Sequence, residues 1–140
     1  MAEDPLAGLV VKKEDLDRKL LGEVLAPYVR LDQDSGAVIA TPAFAALTNA
    51  AKILVLLLGR KAARALSLQT DPEEISPKAI STLTGINYDS VKPTLSMLHK
   101  KRIVQKVGDG YVVPDRAMLL VRSELERAVK EGGHNVNSVR

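Results

Sequence analysis

Basic side chains crowd one short stretch of this chain, between residues 87 and 107. Five cations stand there against a single carboxylate, that of Asp89. Such a cluster can neutralise the phosphates of a nucleic acid. Lysines also collect at helix ends because they complement the negative end of the helix dipole, so charge alone leaves both interpretations open. The five cations are Lys92, Lys100, Lys101, Arg102 and Lys106.

Side chains that catalyse reactions or bind metals are few and scattered. The only histidines are His99 and His134, and neither stands in a cluster with the spacing of metal ligands. The serines have no general base beside them in a catalytic pattern, and Glu73 and Glu74 are interpreted as linker acids. No strand, glycine-rich loop and helix follow one another as a phosphate-binding loop requires. The sequence therefore predicts no enzymatic activity, no metal and no cofactor.

Composition predicts a soluble protein with an aliphatic core. Of its 140 residues 46% are hydrophobic, but only 3% are aromatic and none is cysteine. Absence of cysteine fits a reducing compartment, and no apolar run approaches the roughly 20 residues of a membrane span. Residues 1–40 hold eight acidic and five basic side chains, whereas residues 41–140 hold nine acidic and fifteen basic. We expect a cytoplasmic, nucleoid-associated protein that does not contact membranes.

Helical and β-prone patterns alternate in the first half of the chain. Residues 1–12 show no period and are interpreted as a flexible arm, and residues 13–47 as a helix, a small hairpin at 28–40 and a lead-in capped by Thr41. The next helix reaches Leu66 and divides near Thr48 or Asn49. Its residues 53–58 are apolar on every side, which predicts burial all round or pairing with another subunit.

Two short helices and a hairpin are predicted after residue 75. Ser76 opens the first helix, Gly85 ends it, and Asn87 caps the second, whose inner face carries apolar side chains at helical spacing. The short glycine-containing link is typical of helix-turn-helix geometry. Residues 103–113 predict a hairpin, with Gly108-Asp109-Gly110 supplying positive φ angles for its turn. Asp115 is expected to cap a last helix over 115–131, before a tail at 132–140.

The stretch ISPKAISTLTGINYDSVKPTLSMLHKKRIVQKVGDGYVVP resembles the winged helix-turn-helix superfamily, as found in MarR-like and ArsR-like regulators. The resemblance covers about forty residues, within a domain at 48–114. It implies a mainly helical fold with a small β wing, to which the N-terminal helix and hairpin and the C-terminal helix are added. In that family the second helix enters the major groove and the wing lies along a neighbouring backbone.

Carried over to this chain, the resemblance implies a transcriptional regulator that binds double-stranded DNA. The helix at 87–101 would dock in the major groove, with the wing at 103–113 on the adjacent backbone. Asn87, Tyr88 and Ser90 would lie at the groove entrance. The residues that would hold the duplex are Lys92, Ser96, Lys100, Lys101, Arg102 and, on the wing, Lys106.

A second interpretation is a protein-interaction module in a replication, segregation or transcription-machinery complex. The outward face of the 87–101 helix carries Asp89, Pro93 and Met97 and lacks the arginine, asparagine or glutamine that usually reads bases. We also expect a homodimer, because the apolar surface of residues 53–58, 16–25 and 119–129 exceeds what a three-helix core needs. The alternative is that these helices pack on one another within one chain.

Overall fold

The computed structural model describes residues 4–68 and 72–127. This part is mainly helical with two small antiparallel hairpins, and none of its helices has the length and apolar character of a membrane span. The predicted tail at 132–140 lies outside the described residues. The elements are α1 (Lys13–Leu25), β1 (Val29–Leu31), β2 (Val38–Ala40), α2 (Asn49–Ala65), α3 (Pro77–Thr84), α4 (Tyr88–Lys100), β3 (Gln105–Val107), β4 (Gly110–Val112) and α5 (118–127). Short 3-10 helices occupy Ala7–Leu9, Pro42–Ala46 and Asp115–Ala117.

Helix α2 is the centre of the fold. It contacts α1, α3, α4, both strands of the first hairpin and β4. Every side chain from residue 53 to residue 58 is at most 6% exposed. Because these neighbours belong to the same chain, burial all round is achieved without a second subunit. The apolar excess behind the dimer prediction is therefore mostly used within one chain.

Helices α1 and α5 bury most of their apolar side chains in the core and leave a few exposed. In α1, Leu20, Leu21 and Leu25 are buried, whereas Leu16 is exposed. In α5, Met118, Val121 and Leu125 are buried against the core. Two other leucines of this helix point outward, with Leu119 71% and Leu120 51% exposed. Val129, the last residue of the predicted face, lies outside the described residues.

Hydrogen-bonding caps fix the starts of α2, α3 and α4. Oγ1 of Thr48 accepts from the amide of Ala51 at 3.2 Å. Asn87 Oδ1 accepts from the amide of Asp89 at 2.9 Å, and Ser76 caps α3 in the same manner. Each cap satisfies an amide that has no partner inside its helix. The helix starts after Thr48, Ser76 and Asn87 are thereby explained by short polar side chains.

Two predicted caps form no hydrogen bond to a helix amide, although Thr41 does stand at the N-cap position with Pro42 after it. The hydroxyl of Thr41 donates to the carbonyl of Pro27 at 2.8 Å and caps no helix amide. The carboxylate of Asp115 pairs with Lys61 at 2.8 Å, and Pro114 stands at the start of the 3-10 helix that precedes α5. In both cases a partner distant in sequence binds the side chain more directly than the local backbone does.

The first hairpin, expected at 28–40, closes over α2. Strands β1 and β2 pair antiparallel, with Val29 opposite Ala40. Gly59 lets the hairpin approach α2 closely, because a Cβ there would lie 2.9 Å from Cγ2 of Val38. The hairpin is thus held by contact with the central helix as well as by its own ladder.

Helices α3 and α4 are joined by only three residues, 85–87. Gly85 has φ 78° and donates its amide to the carbonyl of Ser81 at 2.9 Å, which ends α3 as predicted. The linking Ile86 is buried. On α4 the three residues of the predicted inner face, Val91, Leu95 and Leu98, are buried in the core.

The second hairpin follows α4 and is tied to the strand-like segment before α3. The amides of Ile75 and Tyr111 each donate to the other's carbonyl, at 3.1 and 2.9 Å. Gly108 has φ 57° and turns the hairpin. The predicted turn role of Gly110 is wrong: it lies in β4, and a Cβ there would be 3.0 Å from the amide nitrogen of Ile75. Close backbone approach, not turn geometry, requires that glycine.

Candidate nucleic-acid interface

Helix α4 presents a polar face to solvent while its other face is buried in the core. Asn87, Tyr88, Lys92, Ser96 and Lys100 are all exposed on this helix or at its start. The remaining predicted residue of the helix, Ser90, is half-buried and so lies at the margin of the face. Because the inner face is fixed by core packing, the exposed face has a set orientation.

Lys92 is held in place by its neighbour one helical turn before. Its Nζ lies over the ring of Tyr88, 4.8 Å from the ring centroid. Such a cation–π contact is worth about 0.5–1 kcal/mol at an exposed site. It keeps the ammonium group on the flank of α4, where it remains exposed.

Asn87 and Asp89 have structural roles at the start of α4. The side-chain oxygen of Asn87 is engaged in the cap, which leaves its amide nitrogen as the free donor. Asp89 stands in the first turn, where a carboxylate interacts favourably with the positive end of the helix dipole. The presence of an acid on this face is therefore explained by helix stability.

Met97 does not lie on the outward face as expected. It is half-buried and packs against the core cluster. Pro93 is exposed inside the helix, where its ring nitrogen donates no hydrogen bond. The apolar face proposed for a protein partner is therefore smaller than the sequence predicts.

Lys101 is less available to a ligand than the sequence predicts. Its Nζ lies 3.6 Å from Oε1 of Glu124 on α5, whose side chain is 13% exposed. The same carboxylate oxygen accepts from Arg127 at 2.7 Å. Lys101 thus links the end of α4 to α5, a contact between residues far apart in sequence.

Arg102 ends α4 in an unusual backbone conformation. Its φ is 63°, its amide donates to the carbonyl of His99, and the amide of Ile103 donates to that of Leu98, both at 3.0 Å. This pair of bonds closes many helices, usually with glycine at the positive-φ position. An arginine stands there in this chain, and its side chain is exposed.

The hairpin brings Lys106 near the end of α4. Lys106 pairs with Tyr111 across the hairpin, and cross-strand partners share a face. The ring of Tyr111 meets His99 edge to face, with centroids 6.5 Å apart. Lys106 therefore lies on the hairpin face that Tyr111 shares with His99, next to the basic end of the helix.

A groove of about 560 Å³ lies beside that end and contains residues that the sequence analysis missed. Arg116 and Gln105 line it together with His99, Lys100 and Arg102. Arg116 follows the hairpin in the 3-10 helix before α5, so only the tertiary fold brings it to α4. The nearest sequence signal is Pro114, an extended residue that stands between the end of β4 and the 3-10 helix holding Arg116.

A second charged cluster joins distant parts of the fold and is not part of this surface. Lys61 Nζ lies 3.0 Å from Glu73 and 2.8 Å from Asp115. Burial lowers the pKa of Lys61, but the hydrogen bonds to Asp115 and Glu73 outweigh it and raise the pKa above its ordinary 10.5. The hydrogen bond from Lys61 lowers the pKa of Asp115 below its ordinary 3.8. Glu73, predicted to be a simple linker acid, is thus an ion-pair partner.

Metal-binding chemistry has no counterpart in the described part of the chain. Residues 4–68 and 72–127 contain no group of three or more histidine, aspartate or glutamate side chains placed to hold an ion.

No protein-family model, curated protein or solved structure matches this chain. The interpretation of the surface around α4 therefore rests on its own geometry and charge.

Proposed function

We propose that this chain is a winged helix-turn-helix protein that binds double-stranded DNA, most simply as a transcriptional regulator in the cytoplasm. Helix α4, with its flanking residues 87–101, docks in the major groove. The hairpin at 103–113 is the wing and lies on the adjacent backbone. The fixed inner face of α4 and the three-residue link from α3 support this orientation.

One observation carries the proposal: α4 and the hairpin that follows it carry exposed cations, and Lys100 and Arg102 among them line the same groove. Within the described residues, Lys100, Arg102 and Lys106 form no ion pair. Lys92 contacts only the face of an aromatic ring, which leaves its charge available. Unpaired ammonium and guanidinium groups neutralise phosphates and release condensed counterions, which drives DNA binding.

A matched pair of double variants tests this proposal. Lys92→Gln with Lys100→Gln removes two cations from α4, whereas Lys12→Gln with Lys19→Gln removes two exposed cations near α1. Both variants have the same net charge. We expect only the α4 variant to lose DNA affinity strongly, measured by fluorescence anisotropy with a labelled random duplex at several salt concentrations. Each lost phosphate contact lowers the slope of log affinity against log salt by roughly 0.9.

Equal behaviour of the two double variants would contradict docking through α4. No binding to DNA at low salt would contradict the function itself. A stable complex with one co-purifying protein, combined with absence of DNA binding, would favour the protein-interaction module instead. The exposed Asp89 and Pro93 are the part of α4 that such a partner would contact.

We also propose that the protein is a homodimer, supported by fewer exposed apolar side chains than the sequence predicts. The exposed Leu16 of α1, with the exposed Leu9 and Val10 before it, offers apolar surface for a contact between subunits. Light scattering at micromolar concentration should give twice the chain mass of 15.1 kDa. A mass of one chain would contradict the dimer without affecting the proposed DNA contact.

A further inference from the structure

The groove at the end of α4 has walls from three separate elements. Helix α4 contributes His99 and Lys100, and the residues after it contribute Arg102, Val104 and Gln105. Arg116, just before α5, and Leu120, in its first turn, form the third wall. The fold therefore builds one concave surface from residues that span more than twenty positions of the sequence.

The charges of this groove all have one sign. Its described lining holds the cations Lys100, Arg102 and Arg116, and no carboxylate. Among the described residues Arg116, like Lys100 and Arg102, forms no ion pair. The apolar side chains of Val104 and Leu120 complete the lining. Apolar walls reduce the local dielectric, which strengthens hydrogen bonds from these cations to an anion.

The backbone at Arg102 is a separate observation in favour of a ligand. A residue with a side chain at φ 63° costs about 1 kcal/mol relative to glycine, which is preferred at this helix end. Backbone strain of this kind gathers at binding sites, where a side chain is needed despite its conformational cost. Here that side chain carries a guanidinium group, which binds phosphate oxygens in a bidentate manner.

We propose that this groove binds backbone phosphates of the DNA, with Arg116 and Arg102 as anchors and Gln105 as a neutral hydrogen-bond donor. The inference rests on the proposed function and extends it to residues outside the α4 face and the wing turn. Bound there, the strand lies between the wing and the start of α5. The segment 115–120 thereby becomes part of the DNA-binding surface.

Two neighbouring leucines provide the sharpest test. Leu120 lines the groove and Leu119, the residue before it, does not, although both are exposed. Leu120→Glu introduces a carboxylate into the groove, and Leu119→Glu introduces the same charge just outside it. We expect Leu120→Glu to weaken duplex binding about fivefold or more in anisotropy titrations at low salt, because a like charge faces the phosphates. Leu119→Glu should change affinity less than twofold, with unchanged circular dichroism for both.

A second matched pair removes a charge instead of adding one. Arg116→Gln deletes a proposed anchor, whereas Arg122→Gln deletes an exposed arginine that pairs with Glu126 further along α5. We expect the salt slope to fall by roughly 0.9 for Arg116→Gln and to stay at the wild-type value for Arg122→Gln. Equal effects within either pair, or no effect of Leu120→Glu and Arg116→Gln, would overturn the inference.

These measurements distinguish an error in the groove contact from an error in the proposed DNA-binding function. Loss of binding in the Lys92/Lys100 variant with normal binding by Arg116→Gln and Leu120→Glu overturns only the groove. If the wild-type chain binds no DNA, inorganic pyrophosphate is the probe. Shifts of the Arg116 and Gln105 side-chain NMR signals that Leu120→Glu abolishes would then support an anion site, and unchanged signals would overturn it.

Discussion

Arg102 adopts a positive φ, which is unfavourable for a residue with a side chain, and its guanidinium group lines the groove beside α4. Replacing it by glycine removes the clash of a side chain at positive φ, so we expect Arg102→Gly to raise the free energy of unfolding by about 0.5–1 kcal/mol. The same change deletes one phosphate-binding cation, so DNA affinity should fall severalfold. Guanidinium denaturation and anisotropy measure the two quantities. A less stable variant would contradict the strain assigned to Arg102, and a variant that binds as well as the wild type would contradict its phosphate contact.

Single residues show how far side-chain type alone predicts a site. Exposure of Lys92, Lys100 and Arg102 could be predicted, because charged side chains next to a buried apolar stripe must face solvent. The pairing of Lys101 with Glu124 could not, because it depends on where α5 returns to α4. The outward placement predicted for Met97 is wrong for a similar reason, since the core reaches further round α4 than its three buried positions indicate.

Gly22 in α1 and Gly110 in β4 have different surroundings, so alanine at the two positions should have opposite effects on stability. Gly22 lies inside α1, and a Cβ added there would have no neighbouring atom within 4 Å, so Gly22→Ala should stabilise the protein by roughly 0.5–1 kcal/mol. Gly110 faces the backbone of residues 74–75, so Gly110→Ala should destabilise it by about 1–3 kcal/mol. Thermal or chemical denaturation distinguishes the two. Destabilisation by the first change or tolerance of the second would contradict the packing around these two glycines.

The ion-pair cluster around Lys61 ties α2 to the segments before α3 and α5. Its side chain is 13% exposed, so Lys61→Met should lower the free energy of unfolding at neutral pH by about 1–2 kcal/mol, because Glu73 and Asp115 lose their partner. The expected loss of stability is no larger because Asp115 is exposed and water screens its charge.

The pH dependence of that difference has a definite sign. The pKa of Asp115 is lowered, so its contribution is present above pH 3.8 and is lost as the pH falls below that value. The pKa of Lys61 is raised, so its contribution is full below pH 10.5 and is lost as the pH rises further. Denaturation curves at several pH values should show wild type and Lys61→Met converging in acid. A difference that persists in strong acid, where the Asp115 carboxyl is protonated, would show that packing, not charge, holds these segments together.

Element types and their order could be largely predicted, since caps, glycines and apolar spacing are local signals. The starts of α3 and α4 and both hairpins follow from Ser76, Asn87 and the turn residues. The roles predicted for Asp115 and Gly110 are wrong, and the hydroxyl of Thr41 bonds to Pro27 and not to its helix, because each is decided by a segment distant in sequence. Local chemistry alone says what such a residue can do, and the tertiary fold selects which of its options is used.

At the scale of the whole molecule, charge is distributed so that the surface around α4 is basic while the chain as a whole carries only +3. Arg116 joins this surface through the fold, although it follows the second hairpin in sequence. The acidic first forty residues contribute α1 and the first hairpin, both of which pack on α2. A local basic surface on a nearly balanced molecule favours one orientation of a bound polyanion.

The salt dependence of DNA binding by the wild-type chain tests the central claim most directly. Five cations are proposed to contact phosphates: Lys92, Lys100, Arg102, Lys106 and Arg116. Anisotropy titrations with a random duplex should therefore give a slope of log affinity against log salt of about −3 to −5. A slope near zero, or no binding at low salt, would contradict the assignment of this surface to DNA.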